Sequence, residues 1–155
     1  MFLKDNPLNI NQMRTLIIAT VILIPFLSYG QAHLGSTLSD IKGRYPGKEF
    51  SVKLTDDGTR IASAEMPFGT FYYVINQETG LTDMCLQVPD DMEALNAQVE
   101  IYNRKYVIVS EKSWKAYLEG GGIMKIDLTY DEDLETYLFL YTELSHQQNF
   151  RTTEL

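Results

Sequence analysis

The sequence predicts an α+β domain built on an antiparallel sheet of about six strands, in the order α-β4-α-β2, with the helices packed on one face. Short turns rich in Gly, Asp and Asn separate successive strand patterns, and two segments have apolar residues at helical spacing. The composition is that of a globular domain, with 45% hydrophobic and 22% charged residues among 155. Strands linked by short turns favour antiparallel pairing, and one apolar stripe per helix favours packing on a single face.

The chain opens with the pattern of a secretory signal peptide. Arg14 precedes an apolar run at 16–27, with the start of translation at Met1 or at Met13. As a helix this run would be about 18 Å long, short of the ~30 Å hydrocarbon core of a membrane, and Pro25 interrupts it. We therefore predict an export signal rather than a stable membrane span.

The residues after the apolar run set the predicted boundary of the mature domain. Ser28 and Gly30 are the small residues that a cleavage site requires before it. We predict that residues 1–30 are removed and that residues 31–155 form a single α+β domain, because no repeat, low-complexity tract or linker divides them. The mature protein is predicted to be periplasmic or secreted.

Local signals mark the first helix and the four strands that follow it. Thr37 offers a hydroxyl cap with Asp40 three residues later, and Pro46-Gly47 ends the helix. Strand patterns follow at 50–54, 59–66, 70–76 and 81–88. The first of them alternates apolar and polar residues, so we predict that it is half-buried. The last two flank the turn at 77–80 and form the clearest hairpin.

A second helix and two further strands complete the predicted order. The helix starts at Asp90, with Glu93 as the partner in an acidic capping box, and Gln98 lies on its polar face. Its apolar face consists of Met92, Leu95, Val99, Tyr102 and Tyr106. We also predict a short helical segment at 110–118, ended by the glycines 120–122. The last two strands are predicted at 123–130 and 136–144.

Charge and cysteine content exclude several function classes. The net charge of −8, with a pI of about 4.7, disfavours electrostatic binding to nucleic acid or to an anionic membrane. A single cysteine, Cys85, cannot form an intrachain disulfide or a multi-thiolate metal site. Two interpretations of its thiol stay open, namely packing in the core and a disulfide between molecules. We predict no metal and no cofactor.

No combination of residues predicts an active site. His33 and His146 lie outside the predicted core, in segments that we expect to fray, so neither is predicted to act as a catalytic base. The acidic run 131–135 is spaced like the start of a calcium loop but lacks its glycine, and we predict a solvated turn. The glycines 120–122 follow a predicted helix, which is the reverse of the order in a phosphate-binding loop.

Aromatic residues provide the candidate interaction surface. Tyr137 and Tyr141 lie on one face of the last strand, while Leu138 and Leu140 lie on the other. Either that strand is central, with rings paired across strands, or part of a tyrosine-rich surface is exposed to a partner. The candidate partner-binding residues are Tyr72, Trp114, Tyr117, Tyr137 and Tyr141.

Two parts of the sequence resemble known groups of exported proteins. Residues 34–42, Leu-Gly-Ser-Thr-Leu-Ser-Asp-Ile-Lys, are similar to the opening of β-lactamase-inhibitor-protein-like and outer-membrane-assembly-lipoprotein domains, although the inhibitor fold repeats its unit and no second copy is visible here. Most of the mature chain resembles uncharacterised small secreted or periplasmic α+β proteins of Bacteroidetes bacteria. The residues that carry this second likeness are 71–73, 80–85, Asn96, Tyr106-Val107 and Trp114-Lys115. Neither resemblance implies catalytic residues.

The sequence therefore predicts an exported, non-enzymatic binding domain that engages a protein partner and no nucleic acid. Two alternatives stay open. One is a small hydrolase of the cell envelope that uses a pair of carboxylates drawn from Asp83, Asp127 and Glu135. The other is an envelope structural component that self-associates.

Overall fold

The computed structural model describes residues 32–118 and 122–144, which contain two helices and eight strands. The predicted signal peptide, the first two glycines of 120–122, and His146 lie outside the described residues. The helices are α1, Leu38–Arg44, and α2, Met92–Lys105. The strands are β1, Ser51–Leu54; β2, Arg60–Met66; β3, Gly69–Ile75; β4, Thr82–Val88; β5, Val107–Ser110; β6, Ser113–Tyr117; β7, Ile123–Asp131; and β8, Thr136–Leu144.

The strands form one antiparallel sheet of eight, in the order β1-β2-β3-β4-β8-β7-β6-β5. The predicted α+β class and antiparallel sheet are confirmed, whereas the predicted strand count of about six is wrong. Strands β4 and β8 lie at the centre of the sheet, and β1 and β5 form its edges.

The chain order is α-β4-α-β4, so a helix followed by four strands occurs twice. The two sets of four strands meet where β4 pairs antiparallel with β8. No second copy is visible in the sequence because the repetition lies in the order of connections rather than in the residues. The first helix has 7 residues and the second has 14.

The prediction of a helical segment at 110–118 is wrong, because this region contributes β5 and β6 to the sheet. Val107, Ile108 and Val109 are consecutive β-branched residues, which favour extended backbone. Along β6 the residues alternate between half-buried and buried, which is the period of a strand. The glycines 120–122 therefore follow a strand, and their predicted role as a helix stop is also wrong.

The cap of the first helix is the predicted one, and the cap of the second helix differs from the prediction by one residue. The Thr37 hydroxyl accepts a hydrogen bond from the Asp40 amide and the Asp40 carboxylate accepts one from the Thr37 amide, each at 3.2 Å, which confirms the capping box. In α2 the cap is Asp91 rather than Asp90, and its carboxylate accepts a hydrogen bond from the Ala94 amide at 2.7 Å. The predicted capping pair at the start of α2 is therefore wrong by one residue.

Both helices pack against the same face of the sheet, which we call the covered face. Tyr102 of α2 hydrogen-bonds to Tyr141 of β8. On the α1 side, the Lys42 ammonium lies over the ring of Phe50, which packs against Tyr73 of β3 with centroids 6.3 Å apart. The large side chains on this face beneath the helices are buried, whereas Tyr137, farther along β8, is half-buried. The members of this core include Phe71, Tyr73, Cys85, Gln87, Trp114, Ile126, Phe139 and Tyr141.

The prediction that residues 50–54 form a half-buried strand is only partly right. The strand β1 exists, but all four of its residues are exposed, and Leu54 retains 70% of its accessible surface. The alternation predicts which side chains point to which face, and Val52 does share a face with buried Ala62. The alternation does not predict that β1 lies at the edge of the sheet, where the helices do not cover its side chains.

Candidate functional site

Two of the five candidate partner-binding residues, Trp114 and Tyr141, belong to the core beneath α2. They are 1% and 0% exposed. The indole nitrogen of Trp114 donates a hydrogen bond to the Asn103 side chain at 2.8 Å. The Tyr141 hydroxyl is hydrogen-bonded both to Tyr102 and to the side-chain oxygen of Gln87. Neither ring offers contact area to a partner, because both of them are enclosed by the helix and the sheet.

The polar cluster of Gln87, Tyr102 and Tyr141 is internally satisfied. The Tyr141 hydroxyl donates to the Gln87 oxygen, so the Tyr102 hydroxyl is the donor to Tyr141 and lies 3.4 Å from the same Gln87 oxygen. The Gln87 amide nitrogen donates to the carbonyl of Phe68 at 3.3 Å. Burial raises the pKa of both tyrosines well above the usual value of a phenol, so both hydroxyls stay protonated. A closed and neutral network of this kind stabilises the core rather than acting on a ligand.

Cys85 lies on the same covered face and is fully buried. Burial raises the pKa of its thiol well above the usual value, so the thiolate that disulfide exchange requires is disfavoured. Of the two interpretations that the sequence leaves open, the position of this side chain supports packing in the core.

The expectation that His33 frays is wrong. Its Nε2 lies 2.8 Å from the Tyr45 hydroxyl, and the two rings pack edge-on with centroids 5.5 Å apart. Burial, together with the positive charge of Arg44, lowers the pKa of His33 from 6.5 to about 4. The imidazole is therefore neutral near pH 7 and anchors the segment before α1.

This pKa makes stability depend on pH. Between pH 6.5 and 4 the unfolded chain binds a proton at His33 that the folded chain does not, so acidification favours unfolding. Allowing for the partial exposure of the ring, we expect a loss of about 1–2 kcal/mol from pH 7 to pH 4. The measurement is urea unfolding of the wild type and of His33→Asn across this range. An equal pH dependence in both proteins would contradict the assignment.

The three carboxylates considered for a hydrolase are not gathered at one site. Asp127 forms an ion pair with Lys125 at 2.8 Å and accepts a hydrogen bond from Ser113. Asp83 accepts one from the Asn76 amide at 2.7 Å, and Glu135 lies in the turn between β7 and β8. A cavity of about 270 Å³ beside α2 is lined by Glu135 but by neither of the other two carboxylates.

The face of the sheet opposite the helices, which we call the open face, carries mostly aliphatic side chains at its centre. The strand register sets Tyr72, Leu86 and Leu140 side by side on three adjacent strands, and we call this set the central row. Most apolar side chains of this face are half-buried by their neighbours alone, and no described helix lies over them. The apolar members near its centre are Ile61, Tyr72, Val74, Met84, Leu86, Val88, Leu138 and Leu140, and Val107, Tyr117, Ile123 and Leu144 lie farther out on the same face.

Most charged residues of the open face are separated along the strand direction; the exception is Asp127, which lies in the same cross-strand row as Leu140 and Leu86. Lys53, Lys115 and Lys125 all lie in one cross-strand row, which we call the lysine row, on one side of the central row. Glu65 lies in a row on the other side of the central row, and Asp131 lies beyond that, at the end of β7. The open face thus has a basic end and an acidic end, although the whole chain is acidic.

A recess of about 650 Å³ adjoins the central row at Tyr72. Glu49 and Glu65 line it, and both are exposed to solvent. A two-carboxylate hydrolase shelters its general acid from water, and this recess provides no such shelter. The recess is better described as a hollow in the open face that a side chain of a partner could enter.

The open face contains only some of the aromatic residues singled out in the sequence. Tyr72 lies in the central row, and Tyr117, which is 72% exposed, lies near the far end of the same face. Tyr137 lies on the covered face beyond the core, where its ring packs edge-on against Tyr130 with centroids 5.0 Å apart. The aliphatic residues of the open face are not among the sequence candidates, although apolar residues on both faces of β3, β4 and β8 are the pattern that indicates them.

Within the described ranges, no three His, Cys, Asp or Glu side chains are grouped closely enough to hold a metal ion. Among the helices of residues 32–118 and 122–144, none combines the length and the apolar character that a membrane crossing requires. No known protein family, curated protein or solved structure matches this chain. Residue roles therefore rest on the geometry above.

Proposed function

We propose that this protein is an exported, non-enzymatic binding domain that holds a protein partner on its open face. The observation that carries the proposal is the central row of apolar side chains on that face, with both described helices packed on the opposite side. Apolar surface that stays in water costs free energy, and a broad apolar patch rimmed by polar residues is typical of an interaction site. Export remains a prediction from the sequence pattern in residues 1–30.

The size and shape of the open face favour a protein rather than a small molecule. Eight strands at about 4.8 Å spacing span roughly 38 Å, and the mean strand length of about six residues corresponds to roughly 20 Å in the other direction. The product, about 800 Å², is the area that each partner contributes to an ordinary protein–protein interface. Small-molecule sites are instead concave and enclose most of their ligand.

Site-specific photocrosslinking tests this proposal in the cells that produce the protein. A benzophenone amino acid replaces Leu86, at the centre of the open face, or Glu100, an exposed residue of α2, as the matched control. We expect a protein adduct from position 86, none from position 100, and loss of the adduct when Leu140→Lys places a charge beside position 86. Thermal unfolding of each variant verifies that it is folded. Absence of an adduct at position 86, or equal adducts at both positions, would contradict the proposal.

The hydrolase alternative gains no support from the described residues, since the candidate carboxylates are dispersed and the recess is open to water. The self-association alternative is different, because it concerns the same surface as the proposed function.

A further inference from the structure

We propose that the protein partner of the open face is a second copy of this chain, bound face to face in a two-fold dimer. This inference rests on the proposed function and names the occupant. A two-fold interface must be self-complementary, because the same patch of surface supplies both sides. The open face meets that condition in one particular orientation, which follows from its strand register.

In that orientation the two-fold axis runs across the strands, over the central row. Rotation about such an axis exchanges the two ends of every strand, so the central row of one copy lies over the central row of the other. Tyr72, Leu86 and Leu140 then form the middle of a layer between two aligned sheets, as in a β-sandwich with its sheets about 10 Å apart. Val74 and Met84, on one side of the central row, face the partner's Thr70 and Val88 on the other side.

Charge selects this orientation over the alternative. With the axis across the strands, the lysine row lies over the partner's acidic end, so Lys53 approaches the end of β2 where Glu65 of the second copy is located. Lys125 likewise lies toward the partner's Asp131. With the axis along the strands, the lysine row would lie over the partner's lysine row, and like charges would oppose association.

The charge balance of the open face also permits two acidic chains to meet there. The net charge of −8 disfavours association of two copies in general. On the open face, however, the three lysines Lys53, Lys115 and Lys125 equal in number the three carboxylates Glu65, Asp127 and Asp131. Asp127, which this orientation places over its counterpart in the second copy, is already neutralised by the ion pair with Lys125 of its own chain. The repulsion is therefore concentrated elsewhere on the surface, and the area of about 800 Å² per copy is what a stable dimer of ordinary size buries.

Sedimentation equilibrium of the exported chain, with charge-reversal variants, tests the inference. We expect the wild type to be a dimer that dissociates on dilution. Lys53→Glu and Glu65→Lys should each raise the dissociation constant about tenfold, because both symmetric contacts between positions 53 and 65 of the two copies become repulsive. The double variant restores opposite charges at these contacts, so its dissociation constant should return to within about threefold of the wild-type value. Lys112→Glu, in the exposed turn between β5 and β6, is the matched control and should leave the constant unchanged.

The outcomes separate this inference from the proposed function. A monomer at every concentration, with an adduct at position 86 whose mass fits a different protein, overturns the dimer but supports the proposed function. A monomer with no adduct, or with a crosslink only within one chain, overturns both. A dimer that neither Lys53→Glu nor Glu65→Lys weakens overturns the orientation argued above, and with it this inference.

Discussion

Replacing Trp114 with alanine is expected to lower the free energy of unfolding by about 3–5 kcal/mol. The side chain is only 1% exposed, and its ring packs against those of Tyr102 and Phe139, with centroids 5.6 Å and 6.2 Å away. Truncation removes these contacts and leaves a cavity beneath α2 that the paired strands cannot close. Urea unfolding at neutral pH measures the loss as a lower midpoint with an unchanged slope.

Tyr117 provides a matched control on the same strand. It is an aromatic residue of β6 on the opposite face of the sheet and is 72% exposed. Tyr117→Ala should therefore change the free energy of unfolding by no more than about 0.5 kcal/mol. Equal losses from the two substitutions would mean that β6 does not separate these side chains onto the two faces.

The same pair of residues explains why the sequence misplaces this region. Trp114 and Tyr117 are three residues apart, which fits one face of a helix but also opposite faces of a strand. Local spacing cannot decide between these two structures. The decision comes from β7, whose hydrogen-bonding groups pair with every residue of β6, and a sequence pattern does not reveal that pairing.

Elements that depend on neighbours in the chain are predicted well. The first helix cap and the hairpin of β3 and β4 need only residues a few positions apart, and the structure confirms both. Burial of single polar residues is predicted poorly. The sequence predicts that Gln98 lies on the polar face of α2, yet it is 2% exposed and lies one helical turn from the buried Tyr102. A polar residue can be buried when the core supplies a hydrogen-bond partner for its side chain, and tertiary structure decides whether it does.

The candidate surface has the same dependence on long-range pairing. The sequence indicates apolar residues on both faces of the last strand, but the candidate partner-binding residues that it suggests there are the tyrosines. Whether Tyr141 or Leu140 faces the helices is set by the pairing of β4 with β8, whose residues are more than fifty positions apart in the chain. That register buries Tyr141 and leaves Leu140 on the open face, so the proposed binding surface is mainly aliphatic.

Gly69→Ala is expected to destabilise the protein about as strongly as loss of the core tryptophan, by about 3–5 kcal/mol, through backbone strain and steric overlap. Gly69 begins β3 directly after the tight turn from β2, with φ +137°, a conformation that residues with a side chain rarely adopt. A methyl group there would lie 2.1 Å from the carbonyl oxygen of Val88 and 2.8 Å from Cα of Pro89. Both obstacles are backbone atoms of the neighbouring strand and its extension, so β3 and β4 would have to separate.

Gly43→Ala is the matched substitution with the opposite expected sign. Gly43 lies inside α1, and a methyl group there meets nothing within 4 Å. Alanine has the higher helix propensity, so this variant should gain up to about 1 kcal/mol. Urea unfolding of both variants against the wild type measures the two effects with the same chemical change. A small effect of Gly69→Ala would mean that β3 does not approach the end of β4 as closely as described, whereas a loss from Gly43→Ala would mean that α1 has a contact at this position.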